Sequence, residues 1–216
     1  MAGFKNITVF FLVMLVLSQP AWSADIPTVP YVEVSFATQG PLSVFSAPDG
    51  SGYSFTQACD PTGQFVDGTL SIILYSDSPP WGDPLPFFPR EDIFLVDLTG
   101  DLVPCTGGTI PDANTDADGV TTWSNPMFAG GSAEPDGVNR LAFWVNGWIL
   151  ESDGLEELRI NSADHNGDLL VNLTDVHLFT LDYYGPYSYA GDFRWDGTVN
   201  LSDVALLAAS LGASCP

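Results

Sequence analysis

The sequence predicts a mainly β chain that ends in a small helical domain: an antiparallel β-sandwich, then two short helices, each entered through an acidic loop. Three observations carry that prediction. Short extended runs between turn pairs fill residues 25–160, with no convincing helical period among them. One acidic pattern is written twice near the C-terminus, as Asp164-His165-Asn166-Gly167-Asp168-Leu169-Leu170-Val171-Asn172-Leu173-Thr174-Asp175 and Asp192-Phe193-Arg194-Trp195-Asp196-Gly197-Thr198-Val199-Asn200-Leu201-Ser202-Asp203. Each copy runs on into an apolar stretch stopped by a glycine, Gly185 or Gly212.

In chain order, Lys5, the apolar run Ile7 to Leu17 and the small-residue site Ala21-Trp22-Ser23 read as a secretory signal peptide over residues 1–24. No other stretch has the length and apolarity to cross a bilayer. The expectation is an exported protein, secreted or held at the cell surface, with no membrane span after cleavage. Removing the leader takes away the only lysine and leaves Arg90, Arg140, Arg159 and Arg194 against 27 acidic residues, a net charge of −23. Nucleic acid is excluded as a partner, because phosphates need Lys and Arg to neutralise them. Anionic membranes are disfavoured for the same reason. Surface solvation accounts for most of the carboxylates, and the remainder suit a cation binder. Cys59 and Cys105 could bridge within the upstream region and leave Cys215 unpaired; the sequence leaves the pairing open.

Tyr31 to Phe36 alternates as a half-buried strand should. Leu42 to Phe45, Thr69 to Tyr75, Asp92 to Asp97, Gly119 to Trp123, Leu141 to Val145 and Trp148 to Glu151 follow as strands, with Asp-Gly and Asn-Gly turns between several of them. Asn146-Gly147 predicts a tight hairpin in which Val145 faces Trp148 and Trp144 faces Ile149. Both faces of that hairpin are apolar, so it is expected to be largely buried. The five prolines between Asp77 and Arg90 predict a long loop, and Ser152 to Ser162 reads as a short connection.

Hard cations such as Ca²⁺ take oxygen ligands at positions 1, 3, 5, 7, 9 and 12 of a twelve-residue loop, position 7 through a backbone carbonyl. The first repeat supplies Asp164, Asn166, Asp168, the Leu170 carbonyl, Asn172 and Asp175 at those positions. The second supplies Asp192, Asp196, the Thr198 carbonyl, Asn200 and Asp203, with Arg194 at position 3 where a guanidinium cannot ligate. Two calcium sites of unequal affinity are therefore predicted, with the ranking open and room for one to stand metal-free: Arg194 counts against the second unless it swings into solvent and water completes the shell. Leu169 stands where the sharp turn favours glycine, which should strain loop one. The competing reading is a repeated polar turn that caps two helices without metal. Thr174 and Ser202 stand where N-caps belong. Val176, Phe179 and Leu181, like Val204, Leu207 and Leu211, are expected to face one way, so that the helices pack on each other.

At these residues the chain resembles a dockerin, over roughly residues 161–216. Asp-x-Asn-Gly-Asp in loop one, Asp-Gly-x-Val-Asn-Leu-Ser-Asp in loop two, and Asp rather than the EF-hand Glu at position 12 carry the resemblance. It implies a calcium-dependent module of two EF-hand-type loops that docks its helices onto a cohesin, with Leu173, Thr174, Leu201 and Ser202 facing the partner. Upstream, Gln64 to Leu74 and Glu91 to Trp123, above all Ala113 to Thr122, are similar to the bacterial Ig-like repeats of invasin-type adhesins. That similarity implies an Ig-like sandwich over residues 25–160. Asp112, Asn114, Asp116 and Asp118 invite a third calcium site, but Asx turns explain each of them.

Trp81, Trp123, Trp144 and Trp148 would suit a sugar-stacking platform, were Trp144 and Trp148 not expected in the core. His165 and His177 are the only imidazoles, both expected to face solvent, and no carboxylate pair is marked out for glycoside chemistry. The chain therefore reads as non-enzymatic: an exported protein that docks through its calcium-binding tail to a cohesin-type or cell-surface partner. The alternatives are a carbohydrate-binding component of a polysaccharide-degrading complex, and an adhesion or surface-layer protein in which calcium is purely structural.

Overall fold

The structure is a computed structural model that describes residues 31–78, 80, 82–135 and 141–216; the leader, Trp81 and the Asp136-Gly137 turn lie outside them. The described strands in chain order are β1 (Tyr31–Phe36), β2 (Leu42–Ser46), β3 (Ala58–Cys59), β4 (Phe65–Val66), β5 (Leu70–Tyr75) and β6 (Ile93–Asp97). Then come β7 (Leu102–Pro104), β8 (Val120–Trp123), β9 (Ala129–Gly131), β10 (Leu141–Val145), β11 (Trp148–Leu150) and β12 (Leu158–Ser162). Two helices, α1 (Leu173–Tyr184) and α2 (Leu201–Ser210), complete the chain. It is mainly β, as the alternating runs predict, and its sheets run in the orders β1-β5-β8, β11-β10-β6, β12-β2-β3-β4 and β7-β9.

Alternation decides which side chains go inward. In β5, Leu70, Ile72 and Leu74 are buried while Ser71, Ile73 and Tyr75 between them are only partly covered. Ile93 and Leu95 of β6 and Phe143 and Val145 of β10 join the same core, with Trp123 donating its indole N–H to the Thr109 carbonyl at 2.9 Å. Leu42 and Ile160 of β2 and β12, and Leu102 and Ala129 of β7 and β9, complete it, so that side chains from all four sheets share one core.

Two expectations are corrected in this region. The Asn146-Gly147 hairpin has the predicted register, with Val145 opposite Trp148 and Trp144 opposite Ile149, but it is not buried. Trp144, Trp148 and Ile149 are 45%, 47% and 52% exposed. The sheet packs only its Phe143–Val145 face on the core, and Trp148 begins an edge strand beside the turn. The second correction concerns Ser152 to Ser162, which holds a 3₁₀ turn over Asp153–Glu157 and then β12. Leu158 and Ile160 are sealed in the core, and β12 runs parallel to β2, Leu158 opposite Leu42 through Ser162 opposite Ser46. A parallel pair needs a long crossover, and here nearly the whole β region lies between the partners, so local sequence gives no sign of it.

β12 crosses the expected boundary at residue 160 and carries the chain into the acidic loops. The core beneath the helices consists of Ala163, Val171, Phe179, Phe193, Leu207 and Ala213 together with Phe45 of β2. The cysteine expectation is also corrected: Cys105 pairs with Cys215, while Cys59 is buried and free. The cause lies in the tail. Val171 donates its N–H to the Ala213 carbonyl and Gly212 donates to the Val171 carbonyl, each at 2.9 Å, which lays the C-terminus beside loop one and brings Cys215 to 5.7 Å (Cα–Cα) from Cys105.

Candidate metal centre

The two acidic repeats fold into the same hydrogen-bonded frame. In loop one, the N–H groups of Asp168 and Leu169 donate to Asp164 at 3.2 and 2.7 Å. In loop two, Asp196 and Gly197 donate to Asp192 at 3.1 and 2.8 Å. At position 12, Asp175 accepts from His165, Asn166 and Asn172, and Asp203 accepts from Arg194 and Asn200. All four of these carboxylates are buried. Position 9 starts the helix: Asn172 Oδ1 accepts from Thr174 N–H at 2.7 Å, and Asn200 Oδ1 from Ser202 N–H at 2.8 Å. With the carboxylates of Asp175 and Asp203 returning to the Asn172 and Asn200 N–H groups, each helix opens on a capping box. The N-caps are therefore the asparagines, two residues before Thr174 and Ser202, whose own N–H groups are the donors that the amide oxygens accept.

Backbone conformation repeats as well. Positions 4 and 6 take the left-handed region in both loops: Gly167 at φ 67° and Leu169 at φ 67°, then Trp195 at φ 51° and Gly197 at φ 86°. Each loop has one glycine and one strained larger residue. The strain at Leu169 follows the sequence expectation; that at Trp195 was not anticipated.

Burial raises the pKa of Asp164, Asp192 and Asp203 above the ordinary carboxylate range. Neighbouring carboxylates raise them further: Asp175 and Asp168 act on Asp164, Asp196 on Asp192, and Asp192 and Asp196 on Asp203. Backbone N–H donors oppose both effects. Among the described residues, no three His, Cys, Asp or Glu side chains stand as a ready-made metal group; the inner carboxylates are turned onto the backbone. The donor chemistry nevertheless suits a hard cation. It is all oxygen, and a carboxylate oxygen that accepts one N–H keeps a second lone pair. Loop one offers Asp164, Asn166, Asp168, the Leu170 carbonyl and Asp175. Asn172 already caps α1, so it would act through water, as position 9 often does.

The upstream region forms the walls of this centre. Gly130 of β9 lies against loop one so closely that a Cβ there would overlap Asp164 Oδ2, and Gly131 donates its N–H to the Asp164 carbonyl at 2.7 Å. Gly63, at the β3–β4 turn, lies against loop two, where a Cβ would fall 2.8 Å from Asp196 Cβ. Asn161 Nδ2 donates to the Asp192 carbonyl at 2.7 Å, and the Ser43 and Tyr189 hydroxyls meet at 2.9 Å. Nothing in the local sequence marks Gly130, Gly63, Phe45 or Asn161 as part of the site, because they reach it only through the fold.

Three more expectations change. Arg194 does turn away from its loop but not into solvent: it donates to the Gly63 carbonyl at 3.1 Å and stands 4.7 Å over the Phe65 ring. His165 is tucked in, its Nε2 2.9 Å from Asp182 Oδ2 of α1, whereas His177 is exposed as expected. The inward stripe of α1 is Phe179 flanked by the partly buried Val176 and Tyr183, with Leu181 57% exposed; on α2, Leu206 and Leu207 pack inward while Val204 is 37% exposed, and Leu211, just past the helix, is 47% exposed. The helices consequently share Phe45 and Phe193 as a common floor instead of closing on each other alone. Between them runs a groove of about 310 Å³ lined by Val176, Phe179, Tyr183, Leu201, Val204 and Leu207. Leu173 and Leu201 stand exposed at the two helix starts, beside Thr174 and Ser202.

Around Asp112 the acidic side chains have separate tasks. Asp112 accepts from Ser124 and Asn125, Asn114 from the Arg90 N–H, and Asp116 from Asp118 and Val120. Comparison with known protein families, with characterised proteins and with solved structures finds no match to this chain.

Proposed function

We propose that this is an exported, non-catalytic protein whose C-terminal acidic repeat binds calcium and whose paired helices dock onto a cohesin-type or cell-surface protein. The observation that carries this reading is the duplicated frame. Two loops with the same backbone N–H frame and the same left-handed positions each open on a helix whose first residue, Leu173 or Leu201, is 80% or 73% exposed. The resemblance of residues 161–216 to dockerins supports it. A bound calcium ion would offset the buried negative charge and fix the loop. In loop one Asp164, Asn166, Asp168, Asp175 and the Leu170 carbonyl would hold it, and the exposed leucines with Thr174 and Ser202 would meet the partner.

The test is a calcium titration of the full mature chain by calorimetry and thermal unfolding, followed by a cohesin overlay with and without chelator. A higher Tm in calcium, and capture that a chelator abolishes, support the reading; an unchanged Tm together with no heat of binding sinks its calcium half. Gly130→Ala should displace Asp164 and abolish binding in loop one.

A second reading, in which the β region binds a neutral polysaccharide, is favoured by one observation. Trp144 stands exposed between Ile149 and the partly buried Phe94, its neighbours across the sheet, in a row without ionisable groups. Polysaccharide pull-down of the wild type and of Trp144→Ala tests it, and equal retention of both would reject that row as the site.

A further inference from the structure

We infer that loop two is a structural loop held shut by the protein's own donors, so that the chain takes one calcium ion, in loop one; this rests on the calcium reading above. The two frames match in their backbone donors and differ in what else satisfies the carboxylates.

Asp192 accepts two backbone N–H groups, as Asp164 does, and in addition the Tyr187 hydroxyl at 3.1 Å. At position 5, Asp196 Oδ1 takes both the N–H and the hydroxyl of Thr198, at 3.1 and 2.7 Å, and its Oδ2 accepts from Asn200 Nδ2 at 3.1 Å. Its counterpart Asp168 accepts from the Leu170 N–H and from Asn166 Nδ2, itself a side chain at a ligand position. In loop two, position 3 gives no side-chain oxygen. Arg194 there carries its charge outward to Gly63 and Phe65, latching the loop to the β3–β4 turn.

These differences act in the same direction. A cation entering loop two would have to displace a phenol, a threonine hydroxyl and an asparagine amide, and would gain one ligand fewer. A cation entering loop one displaces two amides, that of Asn172 from the Leu170 carbonyl at 3.1 Å and that of Asn166 from Asp168, and the Asn166 oxygen can then ligate. Loop two therefore keeps its shape without metal, through protein donors and the Arg194 latch. Loop one remains the responsive half.

The experiment is calorimetric titration of calcium into the full mature chain and into two variants at exposed positions, Asp168→Ala and Asp196→Ala, with circular dichroism to show that each folds. One ion per chain is expected, with affinity lowered about tenfold or more by Asp168→Ala and unchanged by Asp196→Ala. Two ions per chain, or a single ion whose binding falls with Asp196→Ala, would overturn the assignment while leaving the calcium reading intact. No binding by the wild type would overturn the calcium reading itself and this inference with it.

Discussion

The core of the β region and the core beneath the helices are built in different ways. The first takes its large side chains from many strands, among them Ile72, Leu74, Ile93, Leu95, Phe143 and Ile160, and closes without any residue of the helices. The second is small and is centred on an aromatic from outside: Phe45 of β2 stands 5.1 Å from Phe193, which stacks on Phe179 at 5.5 Å. Two helices of 12 and 10 residues are too short to hold together by propensity. Their stability comes from the sheet on which they rest. The tail therefore looks like a separate domain in sequence and folds as an extension of β2 and β12.

Breaking that dependence should give the largest effect. Phe45→Ala is expected to cost about 3–5 kcal/mol and to melt α1 and α2 before the sheets, seen as helical ellipticity lost ahead of the tryptophan fluorescence transition. A single coincident transition would mean that the two cores unfold as one. In the same way, a fragment beginning at Asn161 lacks Phe45 and Tyr53 and should show no cooperative unfolding of its own.

The second link is covalent. Replacing Cys105 and Cys215 together by serine opens a cross-link between residues 110 apart and should lower stability by about 2–5 kcal/mol, measured by urea unfolding. Cys59 serves as an internal reporter, since burial pushes its thiol up to about 11. It should stay unreactive toward a thiol reagent near neutral pH until the cluster of Tyr53, Tyr189 and Trp195 opens.

Within the tail, local terms should be smaller. Asn172→Ala and Asn200→Ala each remove an N-cap and should cost about 1 kcal/mol, read from thermal unfolding. A much larger loss at either would mean that the asparagine does more than cap. Leu169→Gly should gain up to about 1 kcal/mol by relieving the left-handed residue, and Gly197→Ala should lose a similar amount. If both changes destabilise, the Leu169 side chain is packing rather than strained.

Much of this was legible in the sequence. Alternation located β1, short extended runs between turns marked β5, β6 and β10, and Asn146-Gly147 set the register of the β10–β11 hairpin. The repeat placed both loops, both helices and the strain at Leu169. The failures share a physical cause. Strand β12 pairs with a segment more than a hundred residues away, so no local pattern announces it. Hydrophobicity alone placed Trp144 and Ile149 in the core, although the sheet that carries them buries only one face. Arg194 reads in sequence as a poor ligand turned into solvent, because its acceptor Gly63 lies in another part of the chain.

By itself the sequence determined the mainly β character, the strand periodicity, and the oxygen donors at fixed spacing with a helix start built into each loop. These are local matters, decided by side-chain alternation, turn chemistry and capping over a dozen residues. Only the tertiary structure decided that Cys105 meets Cys215, that Phe45 supplies the core of the helices, and that Gly130 and Gly63 make room for the two loops. Those are contacts between distant segments, and they arise only once the β region has closed around its own core.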